Sequence, residues 1–484
     1  MNTVFALLLP HLSRWKSLSI LTDCWAPMYT ALTAINPFVT RFGAPLLESL
    51  SLMRCNDLIS FSPQFQPQHL KEPAFLKKSD TTDETDIECM LPSLRHLLLR
   101  GVHVDWDALG HSLSTSSSSS SESGLTSLDL AWHSHDVRPS PEQFHQILSS
   151  SSGLRSLVLS GSGPTVPPED SAPSTAAHRG YAPAHLPHLR NITVGYRTAA
   201  EGRVALELID APNVKELSLE DTSYVGDPDV VNAGPLLSYI GTRQFGGAHQ
   251  NHRIIACEPT VGYQAALVTD KDLNVQVSCT DVDKAGTTTT TTESRAAFPL
   301  LEKVTLRDVK TCSEPLRLFL GAQSNLRHLE LTRMSMQAIH ALLPCDQITN
   351  DNDDDDCYKC PCPQLRSLCI KGFEQLDVRD ADLIIGGLAA ERRNKGACEL
   401  REVDIHVDAT MQQQQQMMMM MPCVPLLPPS PHMKVNIIIN DSSDDDDDDD
   451  EEDTIMGLDP YEPGGAFNDP LFDAYYSSHF QIAR

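Results

Sequence analysis

The residues best suited to chemistry lie between positions 345 and 362, where Cys345 is followed by Cys357-Tyr358-Lys359-Cys360-Pro361-Cys362. Four thiolates satisfy a tetrahedral zinc ion, and Cys-x-x-Cys is a common half of such a site. Two features argue the other way. The second half lacks its own Cys-x-x-Cys, and Cys360 and Cys362 stand too close for a usual knuckle. The adjacent aspartates add only loose metal affinity, so Cys345, Cys357, Cys360 and Cys362 form a weak metal candidate. His133-Ser134-His135-Asp136 offers two imidazoles and a carboxylate, but it follows an apolar run directly, where solvated loop residues are the plainer expectation. Gly161-Ser162-Gly163 lacks the third glycine of a dinucleotide loop, and neither a phosphate loop nor a HExxH helix occurs. With no GxSxG elbow either, no constellation for catalysis is present. The chain is therefore expected to be no enzyme and to need no cofactor.

Charge narrows the partners. The formal balance over 484 residues is −28, concentrated in two runs, Asp351 to Asp356 and Asp441 to Asp459. Subtracting their acidic residues leaves −11. Such a surface repels phosphate backbones and anionic lipid, so nucleic acid and membrane are not the expected partners. The apolar start Phe5-Ala6-Leu7-Leu8-Leu9 lacks the charged entry and small-residue exit of a signal peptide. No stretch reaches the roughly 20 apolar residues that span a bilayer. The expected location is cytoplasmic or nuclear, and the odd count of 13 cysteines fits reduced thiols.

What organises the chain is a short repeat: an apolar residue, then two more three and five positions later. It reads Leu47-Leu50-Leu52, Leu94-Leu97-Leu99, Leu125-Leu128-Leu130, Leu154-Leu157-Leu159 and Leu189-Ile192-Val194. Further copies are Val214-Leu217-Leu219, Leu301-Val304-Leu306, Leu326-Leu329-Leu331, Leu365-Leu368-Ile370 and Leu400-Val403-Ile405, with Trp15-Leu18-Ile20 as a degenerate first. The last two apolar residues are two apart, so in a strand both face one side. Helical signals follow the strands. Asp105 precedes Trp106, Leu109 and Leu113; Ser140-Pro141-Glu142 opens a run with Phe144, Ile147 and Leu148; Glu314-Pro315 and Ala381 to Arg393 do the same. One strand cannot bury its face alone, whereas stacked copies share a core. The expected fold is an α/β leucine-rich-repeat solenoid, a βα horseshoe of about eleven units over residues 1–410. Disordered insertions are expected near 60–88, 112–123, 161–182, 280–295 and 346–361, and a low-complexity acidic disordered tail over 411–484.

The run Leu9-Pro10-His11-Leu12-Ser13-Arg14-Trp15-Lys16-Ser17-Leu18-Ser19-Ile20, then Trp25-Ala26-Pro27 and Ala44-Pro45-Leu46-Leu47-Glu48-Ser49-Leu50-Ser51-Leu52, resembles basidiomycete fungal F-box proteins with leucine-rich repeats. The resemblance covers roughly residues 7 to 410. It implies a substrate-recognition subunit of a cullin-type ubiquitin ligase, in which an F-box docks on the ligase adaptor and the repeats select the target. The F-box, a helical module of roughly 40 residues, would precede residue 7, and only six residues do. An adaptor partner is thus expected only if an F-box is encoded upstream; otherwise the chain is a stand-alone repeat scaffold.

Repeat geometry nominates the contact surface without the resemblance. Residues flanking the inward positions face the open, concave side of the sheet, where a protein partner would lie. By that rule the contact residues are Arg100, Glu216, Glu220, Lys303, Arg307, His328, Glu330, Lys371, Glu402 and Asp404. Their mixed charge, spaced one repeat apart, suits recognition of an extended protein.

Overall fold

The computed structural model describes residues 2–55, 64–76, 90–116, 124–166, 182–223, 232–242, 296–343, 360–373, 378–409, 433–441 and 480–481. All belong to one compact unit formed from Met1–Arg243 and Arg295–Arg484. A second unit, Gln244–Ser294, lies outside the described residues.

The chain opens with helix α1 (Asn2–Leu8), a 3-10 turn (Leu9–Arg14), strand β1 (Ser17–Thr22) and helix α2 (Trp25–Phe42). Strands and helices then alternate: β2 (Ser49–Arg54), β3 (His96–Arg100), α3 (Trp106–Ser116), β4 (Ser127–Ala131), α4 (Pro141–Ser149) and β5 (Ser156–Ser160). The middle holds β6 (Ala184–His185), β7 (Asn191–Tyr196), α5 (Ala199–Glu207), β8 (Ile209–Asp210), β9 (Glu216–Asp221) and α6 (Gly234–Thr242). Next come β10 (Lys303–Arg307), α7 (Ser313–Gly321), β11 (His328–Thr332), α8 (Gln337–His340), β12 (Ser367–Lys371) and α9 (Val378–Asn394). The described residues end with β13 (Glu402–Ala409), β14 (Lys434–Asp441) and β15 (Phe480–Gln481).

The protein is a mixed α/β structure around one open sheet of 13 strands, ordered β14-β13-β12-β11-β10-β9-β7-β5-β4-β3-β2-β1-β15. Twelve of them run parallel, and β15 alone is antiparallel. The apolar repeat sets the register. Leu50, Leu97, Leu128, Leu157, Ile192, Leu217, Val304, Leu329, Leu368 and Val403 pair in one ladder, and every one is buried. A second ladder two residues on, from Leu52 to Ile405, is buried equally. A one-residue slip would turn both ladders to solvent, forfeiting roughly 1.5–3 kcal/mol per side chain. The degenerate copy Trp15-Leu18-Ile20 is buried as well.

Both ends of each strand recur as a local motif. Before it, the first apolar residue closes a tight turn: Leu47 donates its N–H to Ala44 O, Leu94 to Leu91 O, Leu154 to Ser151 O, Leu189 to Leu186 O and Leu365 to Cys362 O. After it, Gly101, Trp132, Gly161, Asp308, Arg333 and Gly372 all take left-handed backbone, with φ between 50 and 61°. That turn aims Gly101 N–H at Ala131 O, Trp132 N–H at Ser160 O and Gly161 N–H at Gly195 O. Gly101 and Gly161 adopt it without a Cβ penalty.

Helices fill the other side of the apolar ladders. In α2, Trp25, Met28, Leu32, Ile35 and Val39 are buried at helical spacing. Asp105 accepts from Ala108 N at 3.0 Å at the start of α3. Ser140 and Gln143 form a reciprocal capping box on α4, whose Phe144, Ile147 and Leu148 are buried.

The structure departs from the expected insertions at 161–166 and 360–361, where Ser162, Cys360 and Pro361 are buried, and in three further stretches. Within the insertion expected near 60–88, Phe65, Phe75 and Leu76 are buried, and Phe65 stacks edge-on with Trp25 at 5.1 Å. Helix α3 carries on to Ser116 into the stretch expected to be disordered from 112. Within the expected tail, β14 pairs along its whole length with β13. In these three stretches apolar residues such as Phe65, Leu113 and Val435 pack where neighbouring polar runs dominated the composition. Among the described residues, no helix is long and apolar enough to cross a membrane.

Candidate functional site

Because the two apolar ladders point inward, the intervening residues of the parallel strands stand on the opposite side of the sheet. Nine of the ten nominated residues fall on five adjacent strands: Glu216 and Glu220 on β9, Lys303 and Arg307 on β10, His328 and Glu330 on β11, Lys371 on β12, and Glu402 and Asp404 on β13. Each is exposed or half-buried. The register places Lys303 between Glu216 and His328, and Arg307 beside Glu220. Arg100 stands apart on β3, four strands from β9, or roughly 19 Å at the usual strand spacing.

Several of these charges satisfy one another across strands. Lys371 Nζ reaches Glu330 Oε1 at 2.7 Å, and Arg307 lies 3.6 Å from Glu220 Oε1. The hydrogen bond to Glu330 holds the Lys371 ammonium above its ordinary range. Asn436 of β14 donates to Asp404 Oδ1 at 2.6 Å. Beyond the strand ends, Arg333 pairs with Asp308 through both carboxylate oxygens. The edge row is different: Glu216, Lys303, His328 and Glu402 are all exposed.

The first six parallel strands present another surface. In register they show Ser17, Ser49, His96, Ser127, Ser156 and Asn191, then Ser19, Ser51, Leu98, Asp129, Val158 and Thr193. Asp129 sits in register between Leu98 and Val158, and burial pushes its carboxyl up, opposed by Arg100.

Behind that half, at the carboxyl ends of the strands, lies a polar network that sequence reasoning missed. His133, expected in a solvated loop, is 1% exposed. Its Nδ1 lies 2.9 Å from Ser162 Oγ and its Nε2 lies 2.8 Å from Val102 O, which as a carbonyl accepts a proton. Its carbonyl accepts from Arg138 Nε at 3.3 Å and from Arg197 at 3.1 Å. Arg138 in turn pairs with Glu201 Oε1 at 3.0 Å, with side-chain exposures of 0% and 9%. Burial lowers His133 to about 3 and His103 to about 4. His103 stacks on Trp25 at 5.2 Å and bonds Lys71 O. The signal in the sequence was only the position directly after each strand, where the left-handed turn folds the next residues inward. A cleft of about 420 Å³ opens over this network, lined among others by Lys71, His103, Trp106, Asp136 and Arg138. Its charges are largely matched: Lys71 meets Asp136 at 2.7 Å, and Trp106 Nε1 donates to Val137 O.

At the cysteine cluster, Cys360 and Cys362 are buried against Arg392, which is itself 0% exposed. Arg392 donates to Pro361 O and Cys362 O, both at 2.8 Å, and lies 3.4 Å from Cys360 Sγ. Cys362 Sγ donates to Leu320 O at 3.2 Å, and burial pushes its thiol well up. A guanidinium is a hostile neighbour for a cation, so these two thiols serve packing and the lead-in to β12. Cys345 and Cys357 lie outside the described residues. Among the described residues, no group of three or more His, Cys, Asp or Glu side chains is placed to hold a metal ion.

No protein-family model matches the chain, and no curated protein matches it significantly.

Proposed function

We propose that the chain is a leucine-rich-repeat solenoid that binds a protein partner across its strand face, as the substrate-recognition repeats of F-box ligase subunits do. The observation that carries this reading is the run of nine in-register polar residues over β9 to β13, exposed or half-buried. Five acids against three bases among those nine residues favour a protein of mixed charge over a polyanion. The twelve-strand parallel ladder, with one crossover between successive strands, is what stacked strand–helix repeats would build.

The test is site-directed photo-cross-linking in cells, with the reactive residue placed at Lys303 or, as a control, at Leu318 on α7, which is 53% exposed. Adducts confined to position 303, and lost on Arg307→Glu with Glu402→Lys, support the reading. Adducts equally abundant from position 318 would sink it. The ligase link is tested separately by translating the transcript upstream of Met1 and probing that product for the cullin adaptor.

A further inference from the structure

The first strand of the sheet poses a problem that its sequence does not solve. β1 reads Ser17-Leu18-Ser19-Ile20-Leu21-Thr22, with no charge, no proline and no bulge. Edge strands normally carry one of these, because bare main-chain groups invite pairing with another chain. Its own bonding pattern shows which groups are bare. Lys16 O accepts from Glu48 and Ser49, and Thr22 O accepts from Cys55, so the even-numbered residues spend their main-chain groups on β2. The groups of Ser17, Ser19 and Leu21 therefore point the other way.

That outer edge is where β15 lies. Ser19 pairs with Gln481 and Ile20 with Phe480 in antiparallel sense, although every other strand of the sheet is parallel. The antiparallel direction marks β15 as something other than one more repeat. Chain length permits the return: from β14 to β1 is eleven strand spacings, roughly 53 Å. Residues 442–479 can reach about 125 Å when extended.

We propose that the outer edge of β1 is a strand-acceptor site, and that its occupant is this chain's own C-terminal segment, added in antiparallel register around Phe480–Gln481. The segment is held by main-chain hydrogen bonds, the mode by which an extended peptide augments a sheet edge. It closes the one edge whose side chains provide no guard.

Amide hydrogen exchange of Ser19, resolved in the full-length protein, tests the site. Gln481→Pro removes the main-chain N–H of the residue paired with Ser19. The Ser19 amide should exchange at least about tenfold faster in this variant, with Leu52 and Leu99 amides unchanged. A chain ending at residue 470 should lose the same protection, and a synthetic peptide of residues 475–484 added in trans should restore it. Unchanged exchange at Ser19 in both variants overturns the proposal. Protection that disappears on dilution, together with a dimer in sedimentation, assigns the strand to a second copy and overturns the intramolecular occupant.

Discussion

The two halves of the sheet handle polarity in opposite ways. Over β1 to β7 the open face is mostly hydroxyls and apolar groups, while His103, His133, Arg54, Arg138 and Glu201 are buried behind it. Over β9 to β14 most charged groups stand on the open face, and among the described residues of that half only Asp221, Thr222, Gln323 and Arg392 are buried polar side chains. The same apolar ladders run through both. Polarity is thus free to be spent either on locking the turns after the strands or on display to solvent. Buried groups are costly to disturb, and exposed pairs are cheap. The difference between halves should therefore be measurable residue by residue.

The largest effect is expected at Arg138. Removing one member of a buried pair strands the other charge without water, which typically costs about 3–5 kcal/mol. Arg138→Ala should lower unfolding stability by that order in denaturant titration. Arg138→Met combined with Glu201→Leu should recover most of the loss, since the apolar pair leaves no orphan charge. If the single variant costs under about 1 kcal/mol, the network is not holding the turns, and the contrast between halves fails.

Acid should act on the same half. His133 and His103 are held by burial at about 3 and about 4 in the folded protein, against roughly 6.5 when unfolded. Their folded values are depressed, so the unfolded chain binds the extra protons. Stability is therefore intact above about pH 6.5 and falls as pH drops toward 4, by on the order of 3 kcal/mol for each group. Replacing His133 by Gln should flatten that part of the stability curve. Equal slopes for wild type and variant between pH 6.5 and 4 would mean that His133 is hydrated in solution.

Much of this division was legible in the sequence, and the illegible part has a physical reason. The period of the apolar residues gave the strands, their register and the polar face, because burial of Leu157 or Leu329 depends on parity alone. Asp105 and Ser140 announced their helices through local capping. His133 was misjudged because nothing nearby in sequence says that residues following a strand fold inward. Its partners Ser162, Val102, Arg138 and Arg197 come from four different connections. Strand β14 was hidden for a different reason. Val435, Ile437 and Ile439 alternate as a strand should, but they stand between a methionine tract and an aspartate run that set the composition of the window.

The smallest effect on stability should come from the face itself, and there the comparison is sharpest. Lys371 and Glu330 are 39% and 24% exposed, and solvent screens such pairs to about 0–1 kcal/mol. Lys371→Ala should therefore barely move the denaturation midpoint, in contrast to Arg138→Ala. Its effect should instead appear against whatever protein position 303 cross-links, because a pair already fixed in place presents its charges without further ordering. Reduced cross-linking at unchanged stability would place recognition on β9 to β13. A stability loss as large as that of Arg138→Ala would mean that these charges, too, hold the fold, and the distinction between the halves would dissolve.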